Sequence, residues 1–128
     1  MNDTYHHGDL PTALRAAAVE LVAERGPTGF SLREVARRAG VSHGAPAHHF
    51  GDSRGLLTSV ATEGFRTLGD ALAGAVEGLD DPVDRLTAMG KAYVNTAPQY
   101  PGHFGVMCND ELIDDEDEEF GAVAGGAY

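Results

Sequence analysis

The twenty residues from Ser31 to Phe50 limit the possible folds more than any other part of the sequence. Ser31 followed by Glu34 has the spacing of a capping box, in which the serine oxygen accepts a hydrogen bond from the third helical amide. The helix should end at Gly40, because glycine adopts the left-handed conformation that closes a helix. Its apolar face would consist of Leu32, Val35, Ala36 and Ala39.

A second short helix is predicted directly after this glycine. Ser42 is the expected N-cap and the helix would run to about His49, with Pro46 tolerated because it lies near the first turn. The small side chain of Ala36 permits two helices to cross closely, and Val41 would fill the corner between them. Such a unit projects its second helix outward, a geometry that fits the major groove of DNA.

Helical periodicity recurs on both sides of this unit. A first helix is expected between Asp9 and Gly26, with Pro11 in its first turn and Leu10, Leu14, Ala17, Ala18 and Leu21 on its apolar face. A fourth helix should begin at Asp52 or Ser53. Its inward stripe is predicted to be Leu57, Ala61, Gly64, Leu68, Leu72 and Ala75.

The remaining sequence favours further helices and offers no alternating strand pattern. The fifth helix would carry Val83, Leu86, Gly90, Tyr93, Val94 and Ala97 on one face. Pro98 and Pro101 interrupt the chain before a short apolar piece around Phe104, Val106, Met107 and Cys108, and a final helix would contain Phe120, Val123 and Ala124. We therefore expect an all-α protein with a three-helix head at 1–51 and a partial helical domain at 52–128.

Charge is divided unevenly between these two parts. The formal net charge is −11, yet residues 1–55 hold six arginines against six acids and five of the six histidines. The rest holds three cationic side chains against fourteen acids. A nucleic-acid partner is therefore compatible with the head despite the overall charge.

No apolar run approaches the roughly 20 residues of a membrane span, and the N-terminus lacks the pattern of a secretory signal. We expect a cytoplasmic protein without a membrane partner. Cys108 is the single cysteine and is expected to be a small semi-buried apolar residue rather than a redox sensor.

The sequence resembles the TetR family over about residues 5–60. The resemblance rests on the stretches 5–10 (Tyr-His-His-Gly-Asp-Leu), 31–36 (Ser-Leu-Arg-Glu-Val-Ala) and 40–42 (Gly-Val-Ser), and on His49-Phe50 followed by Leu56-Leu57. A weaker similarity to one branch of the family lies in Tyr93-Val94 and in residues 100–104. The resemblance to the family implies a DNA-binding repressor that binds an inverted repeat as a homodimer. It also implies that a small-molecule effector of unknown identity releases the repressor from DNA.

Individual roles follow from matched positions. His43, Gly44 and Ala45 match base-reading residues, Ala47 and His48 match residues that touch bases or phosphates, and His49 matches a phosphate contact. The N-termini of the second and fourth helices would aim amides at phosphates. The implied DNA-binding set is Ser31, Arg33, Ser42, His43, Gly44, Ala45, Ala47, His48, His49, Ser53 and Arg54, and the implied effector-binding set is Tyr93, Phe104 and Met107.

Three positions depart from the family pattern. Ala47 stands where tyrosine is frequent, Pro46 where leucine is frequent, and Ser53 where a lysine commonly contacts phosphate. Arg54 is the obvious substitute for that lysine. Weaker backbone contacts are expected, on an unchanged fold.

Other interpretations of the same residues were weighed. A small enzyme would use His48 or His49 as general base, but no serine or cysteine is paired with a histidine, and there is no phosphate-binding glycine loop or acid pair in an apolar setting. A metal site at these histidines is disfavoured because adjacent helical residues point about 100° apart. A third alternative is a protein-interaction module built on the acidic half.

The N-terminal histidines, the acidic run and the C-terminal part of the chain carry further expectations. His6-His7 would be either solvated or in contact with DNA. The acidic run 114–119 lacks the spacing of a calcium loop and should be a solvated loop or helix start. The resemblance ends where dimer-forming helices would normally begin, so we expect an incomplete family member that is a weak dimer or a monomer, with the Leu68 and Leu72 face and the Tyr93 and Val94 face uncovered. No cofactor is expected.

Overall fold

The computed structural model describes residues 9–127. Within that range the chain forms seven α-helices, two 3₁₀ turns and no strand, which confirms the all-α class. The helices are α1 (Leu10–Arg25), α2 (Leu32–Ala39), α3 (Ala45–Phe50), α4 (Ser53–Ala75), α5 (Pro82–Thr96), α6 (Pro101–Met107) and α7 (Glu118–Ala127), and the 3₁₀ turns are Ala97–Gln99 and Asp110–Leu112.

The start and end of α1 follow its local sequence. Asp9 occupies the N-cap position, although its side chain makes no capping hydrogen bond, and proline lies in the first turn. Gly26 ends the helix with a φ of 85°. The predicted apolar face is confirmed, since Leu14, Ala17, Ala18 and Leu21 are buried in the core.

Both ends of α2 are formed as the sequence predicts. Ser31 Oγ accepts a hydrogen bond from Glu34 N at 3.2 Å. At the other end Gly40 has a φ of 74°, Val41 N donates to Ala36 O at 3.0 Å, and Gly40 N donates to the carbonyl three residues back. These two bonds satisfy carbonyls that the helix end would otherwise leave unpaired.

The longest helix, α4, lies at the centre of the molecule and contacts α1, α3, α5, α6 and α7. Its predicted inward residues from Leu57 to Leu68 are buried, and Leu72 and Ala75 are half-buried. Further buried residues on this helix, Leu56, Val60 and Phe65, join the head and the remaining helices in one continuous core. The division of the chain at residues 51 and 52 stays a prediction.

Helix α6 lies against α1 at a close approach that glycine permits. A Cβ atom at Gly102 would overlap the carbonyl oxygen of Val19, and one at Gly105 would meet Val22 Cγ1 at 3.3 Å. Val106 and Met107 on the same helix are buried. The helix that follows the predicted break at Pro98 and Pro101 is thus packed directly on the head.

The expectation for the apolar faces was right for α5 and wrong for α4. Val83, Leu86 and Val94 are 68%, 72% and 67% exposed, whereas Leu68 on α4 is buried. The reason is α7, which forms despite its glycines and packs along α4 with the Phe65 and Phe120 rings 5.8 Å apart.

No helix among the described residues is long and apolar enough to cross a membrane.

Candidate nucleic-acid interface

The surface formed by α3 and the turn before it is exposed along most of its length. Residues 42–44 and 47–49 are exposed and Ala45 is half-buried, whereas Pro46 is fully buried. The rings of His48 and His49 pack edge to face, with their centroids 5.4 Å apart. Short, polar and imidazole side chains thus cover one outward face that is supported by a buried proline.

The predicted N-cap of α3 was wrong. The helix begins at Ala45 with Gly44 in the N-cap position, and Ser42 instead accepts a hydrogen bond from Ala45 N through its backbone carbonyl at 3.1 Å. A helix capped by Ser42 would place Pro46 where the first intrahelical N–H bond is made, and proline has no N–H to give. His43 and Gly44 therefore lie in a turn before the helix.

The N-terminus of α2 borders this surface in sequence and presents a cationic residue. Ser31 and Arg33 are exposed. The Ser31 side chain takes the amide of Glu34, so the amides before it are left for an external acceptor. The Glu34 carboxylate is bound by Arg25, and that guanidinium lowers the pKa of Glu34.

The N-terminus of α4 carries the remaining predicted contacts. Asp52 is the N-cap, and its carboxylate accepts a hydrogen bond from Gly55 N at 2.8 Å. Ser53 and Arg54 follow as the first two helical residues and are exposed. The capping carboxylate places negative charge at a helix end that would otherwise attract anions.

The arginines of the head fall into two groups. Three pair with carboxylates: Arg15 with Glu63, Arg25 with Glu34, and Arg38 with Glu24 and Glu20. Arg33, Arg37 and Arg54 make no ion pair with any residue of the described part of the chain. These three guanidinium groups of residues 1–55 are therefore not held by a carboxylate of the described residues.

A polar cluster that the sequence analysis missed joins three helices behind this surface. Glu63 of α4 accepts a hydrogen bond from His103 Nε2 of α6 at 2.7 Å and faces Arg15 Nε of α1 at 3.4 Å. The pKa of the Glu63 carboxyl is lowered, first by the His103 hydrogen bond and less by charge interactions with His103 and Arg15, while partial burial opposes the shift. Arg15 also donates to Ser59 and Thr12.

No signal in the sequence points to this cluster. Glu63 is 48 residues from Arg15 and 40 residues from His103, and the packing of α1, α4 and α6 brings the three side chains together. The Nδ1 atom of His103 is buried and makes no hydrogen bond within the described residues. No group of three His, Cys, Asp or Glu side chains with the arrangement of a metal site occurs in that part of the chain.

Comparison with known proteins finds similarity to one family over part of the chain. Residues 14–60 match the family described as bacterial regulatory proteins, tetR family. The HTH-type transcriptional regulator BetI of Stenotrophomonas maltophilia (strain R551-3) is 35% identical over 74 residues, which are 57% of this chain and 38% of that regulator. The likeness to this family therefore covers less than half of the chain, in the part that contains α2, α3 and the start of α4.

Two solved structures extend the likeness beyond residue 60. A protein of unknown function from Rhodococcus sp. RHA1 superimposes with a TM-score of 0.77 at 35% identity, over 96% of this chain and 64% of that one. A regulatory protein in the tetR family from Rhodococcus RHA1 gives 0.78 at 25% identity, over 92% and 62%. The chain spans less than two thirds of the length of each of these relatives.

The TetR match from residue 14 to residue 60 contains every predicted DNA-binding residue and none of the predicted effector-binding residues. Of the latter, Tyr93 and Phe104 are in contact, with ring centroids 5.8 Å apart. Met107 lies apart from solvent, 7% exposed, where a side chain at Gly64 would overlap its sulfur. His6 and His7 lie outside the described residues.

Proposed function

We propose that this protein is a sequence-specific DNA-binding transcriptional regulator. The observation that carries the proposal is the outward face of α3 and its preceding turn, in which residues 42–44 and 47–49 are exposed on either side of the half-buried Ala45 and the buried Pro46. A helix–turn–helix of this kind inserts its second helix into the major groove, where side chains near the helix start meet base edges. His43, Gly44 and Ala45 are the base-reading residues of this proposal.

Contacts to the DNA backbone come from the flanking elements. The amides at the start of α2 face phosphates together with Ser31, Arg33, Ser53 and Arg54, while His49 binds at the other end of α3. Because three arginines of the head are held by carboxylates, few cations neutralise phosphate. We expect a slope of the logarithm of affinity against that of salt of about −3 for each head.

The proposal includes the response of the regulator to its signal. Residues 1–51 form the DNA-binding head and 52–128 form part of the effector-binding region. Two copies that associate only weakly in free solution repress as a homodimer on an inverted repeat in the cytoplasm, and they are released when a small molecule binds near Tyr93 and Phe104. The resemblance to the family supports this part, together with the packing of α6 directly on the head.

Selection of bound sequences from random duplex DNA tests the proposal. His43→Ala should change the preferred base at one or two positions by about 1 to 3 kcal/mol, whereas His49→Ala should weaken all duplexes by similar factors. Lys91→Ala, which removes an exposed cation far along the chain, is the control and should change neither property. The reverse pattern for the two histidines would show that the assigned register of α3 is wrong.

The alternatives are outcomes of the same experiment. An acidic protein-interaction module would enrich no sequence and would bind duplexes only weakly at low salt. A histidine-dependent enzyme would likewise select nothing from the pool. Either outcome would overturn the proposal.

A further inference from the structure

The segment between α6 and α7 is tied to the first turns of α4 by two hydrogen bonds. Arg54 Nη2 donates to the carbonyl oxygen of Ile113 at 2.8 Å, and Asp114 N donates to Thr58 Oγ1 at 2.8 Å. The Ile113 side chain is 3% exposed and belongs to the hydrophobic core. Segment 110–114 is thus fixed beside the same helix end that carries a predicted phosphate contact.

Thr58 is the fixed point of this arrangement. Its side chain is buried, and its hydroxyl donates to Arg54 O at 2.7 Å while it accepts from Asp114 N. A hydroxyl has one proton to donate, and here that proton is used within the helix. The hydrogen bond that Thr58 Oγ1 accepts from Asp114 N therefore fixes the position of the segment along α4.

Arg54 retains most of its binding capacity. A guanidinium has five N–H donors in one plane, and the structure uses one of them on Ile113 O. That single bond restricts the orientation of the plane, while the residue as a whole stays exposed at the second position of α4. The remaining donors are free for an external acceptor such as a phosphate.

We propose that segment 110–114 positions the Arg54 guanidinium for a DNA phosphate, so that the link between α6 and α7 controls the affinity of the head for the DNA backbone. This inference rests on the proposed function. A guanidinium that is already oriented loses less conformational entropy on binding than a freely rotating side chain. Loss of the Ile113 contact should therefore lower the affinity for DNA without removing any charge.

The same connection gives α6 a route to the interface. From α6 the chain passes through consecutive backbone hydrogen bonds, Asn109 N to Val106 O, Leu112 N to Asn109 O and Ile113 N to Asp110 O. A cleft of about 320 Å³ beside Arg54, lined also by Phe30, Leu57 and Leu112, leaves the segment room to shift. A displacement of α6 is then carried to the Ile113 carbonyl and changes the orientation of Arg54.

A double-mutant cycle on DNA affinity tests the inference, with the duplex that random selection yields as the probe. Thr58→Val removes the hydroxyl that holds Asp114 and should weaken binding by between about twofold and tenfold. In the Arg54→Ala background the same change should have no further effect. Thr58→Ser keeps the hydroxyl and should restore affinity.

Thr62→Val is the matched control. Thr62 is equally buried one turn further along α4, and its hydroxyl donates to Thr58 O at 2.8 Å without touching segment 110–114. It should leave affinity unchanged. Equal losses from Thr58→Val and Thr62→Val, or a Thr58→Val loss that persists without Arg54, would overturn the inference while DNA binding itself stands. Absence of binding by the unmodified chain would overturn both proposals.

Hydrogen exchange decides the matter if Thr58→Val does not fold. Coupling is reciprocal, so a bound duplex should slow exchange of the Asp114 amide in the unmodified protein. The Gly121 amide, which donates to Asp117 O within the start of α7, is the reference and should not change. Unchanged exchange at Asp114 in the bound state would count against the inference.

Discussion

Helices α4 and α5 carry apolar stripes of similar spacing but differ in what covers them. The stripe of α4 lies under α1, α6 and α7, and Leu56 and Val60 are fully buried. The stripe of α5 faces outward, with Leu86 72% exposed. Apolar periodicity therefore predicts that a helix forms and which face is apolar, whereas coverage of that face depends on elements distant in the sequence.

The largest expected effect comes from equal truncations on the two helices. Leu56→Ala should reduce the free energy of unfolding by about 2 to 5 kcal/mol, because it removes a buried side chain and leaves a cavity. Leu86→Ala, the matched control on α5, should change it by less than about 0.5 kcal/mol. Urea unfolding of both variants measures the difference. Similar losses from the two would show that the α5 stripe is covered in solution.

Alanine substitution of a glycine in the packed helix α6 and of one in the exposed helix α5 should change stability with opposite signs. Gly102→Ala places a methyl group against the backbone of Val19 and should cost about 1 to 3 kcal/mol, because a carbonyl cannot move aside as a side chain does. A Cβ at Gly90 of α5 meets nothing within 4 Å. Gly90→Ala should therefore stabilise the protein by about 0.5 to 1 kcal/mol. Thermal unfolding checks both, and a stable Gly102→Ala variant would contradict the close packing of α6 on α1.

Features that depend on neighbouring residues were predictable from the sequence, whereas contacts between distant parts of the chain were not. The cap at Ser31 and the left-handed Gly40 were predictable because each depends on residues within one helical turn. The predicted N-cap at Ser42 is wrong because Pro46 lies too far from that residue to be in the first turn, and proline has no N–H for the bond that is needed there.

The contacts around Glu63 could not be predicted from the sequence. They join residues that are 40 or more positions apart, and helical periodicity does not predict contacts over such distances. The same is true of the bond from Arg54 to Ile113, 59 residues away. Local chemistry was predictable here, and the connections between the head and the remaining helices required the structure.

A smaller effect is expected from Glu63, which attaches α4 to α1 and α6. Its pKa is lowered from the ordinary 4.5, mainly by the His103 hydrogen bond. A carboxyl with a lowered pKa in the folded state adds stability that is present above the unfolded value and lost as pH falls through the folded value. Glu63→Gln should therefore reduce stability at pH 7 and flatten its decline below about pH 5. Unfolding curves of both proteins at several pH values give the comparison, and parallel pH profiles would contradict the ion-pair assignment.

The smallest effect concerns self-association through the α5 stripe. Val83, Leu86, Tyr93 and Val94 are between 44% and 72% exposed, and contiguous apolar surface of this kind favours contact between copies. The net charge of −11 opposes that contact, so the association should be weak and should strengthen with salt.

Sedimentation at micromolar concentration should accordingly show a monomer whose apparent mass rises slowly with concentration. Leu86→Glu should abolish the rise, because it places a charge in the middle of the stripe. Asn95→Glu adds the same charge to an exposed position of the same helix outside the stripe, so it should reduce the rise only through net repulsion. A tight dimer that persists in the Leu86→Glu variant would mean that copies associate through another surface and that the exposed apolar face of α5 does not mediate self-association.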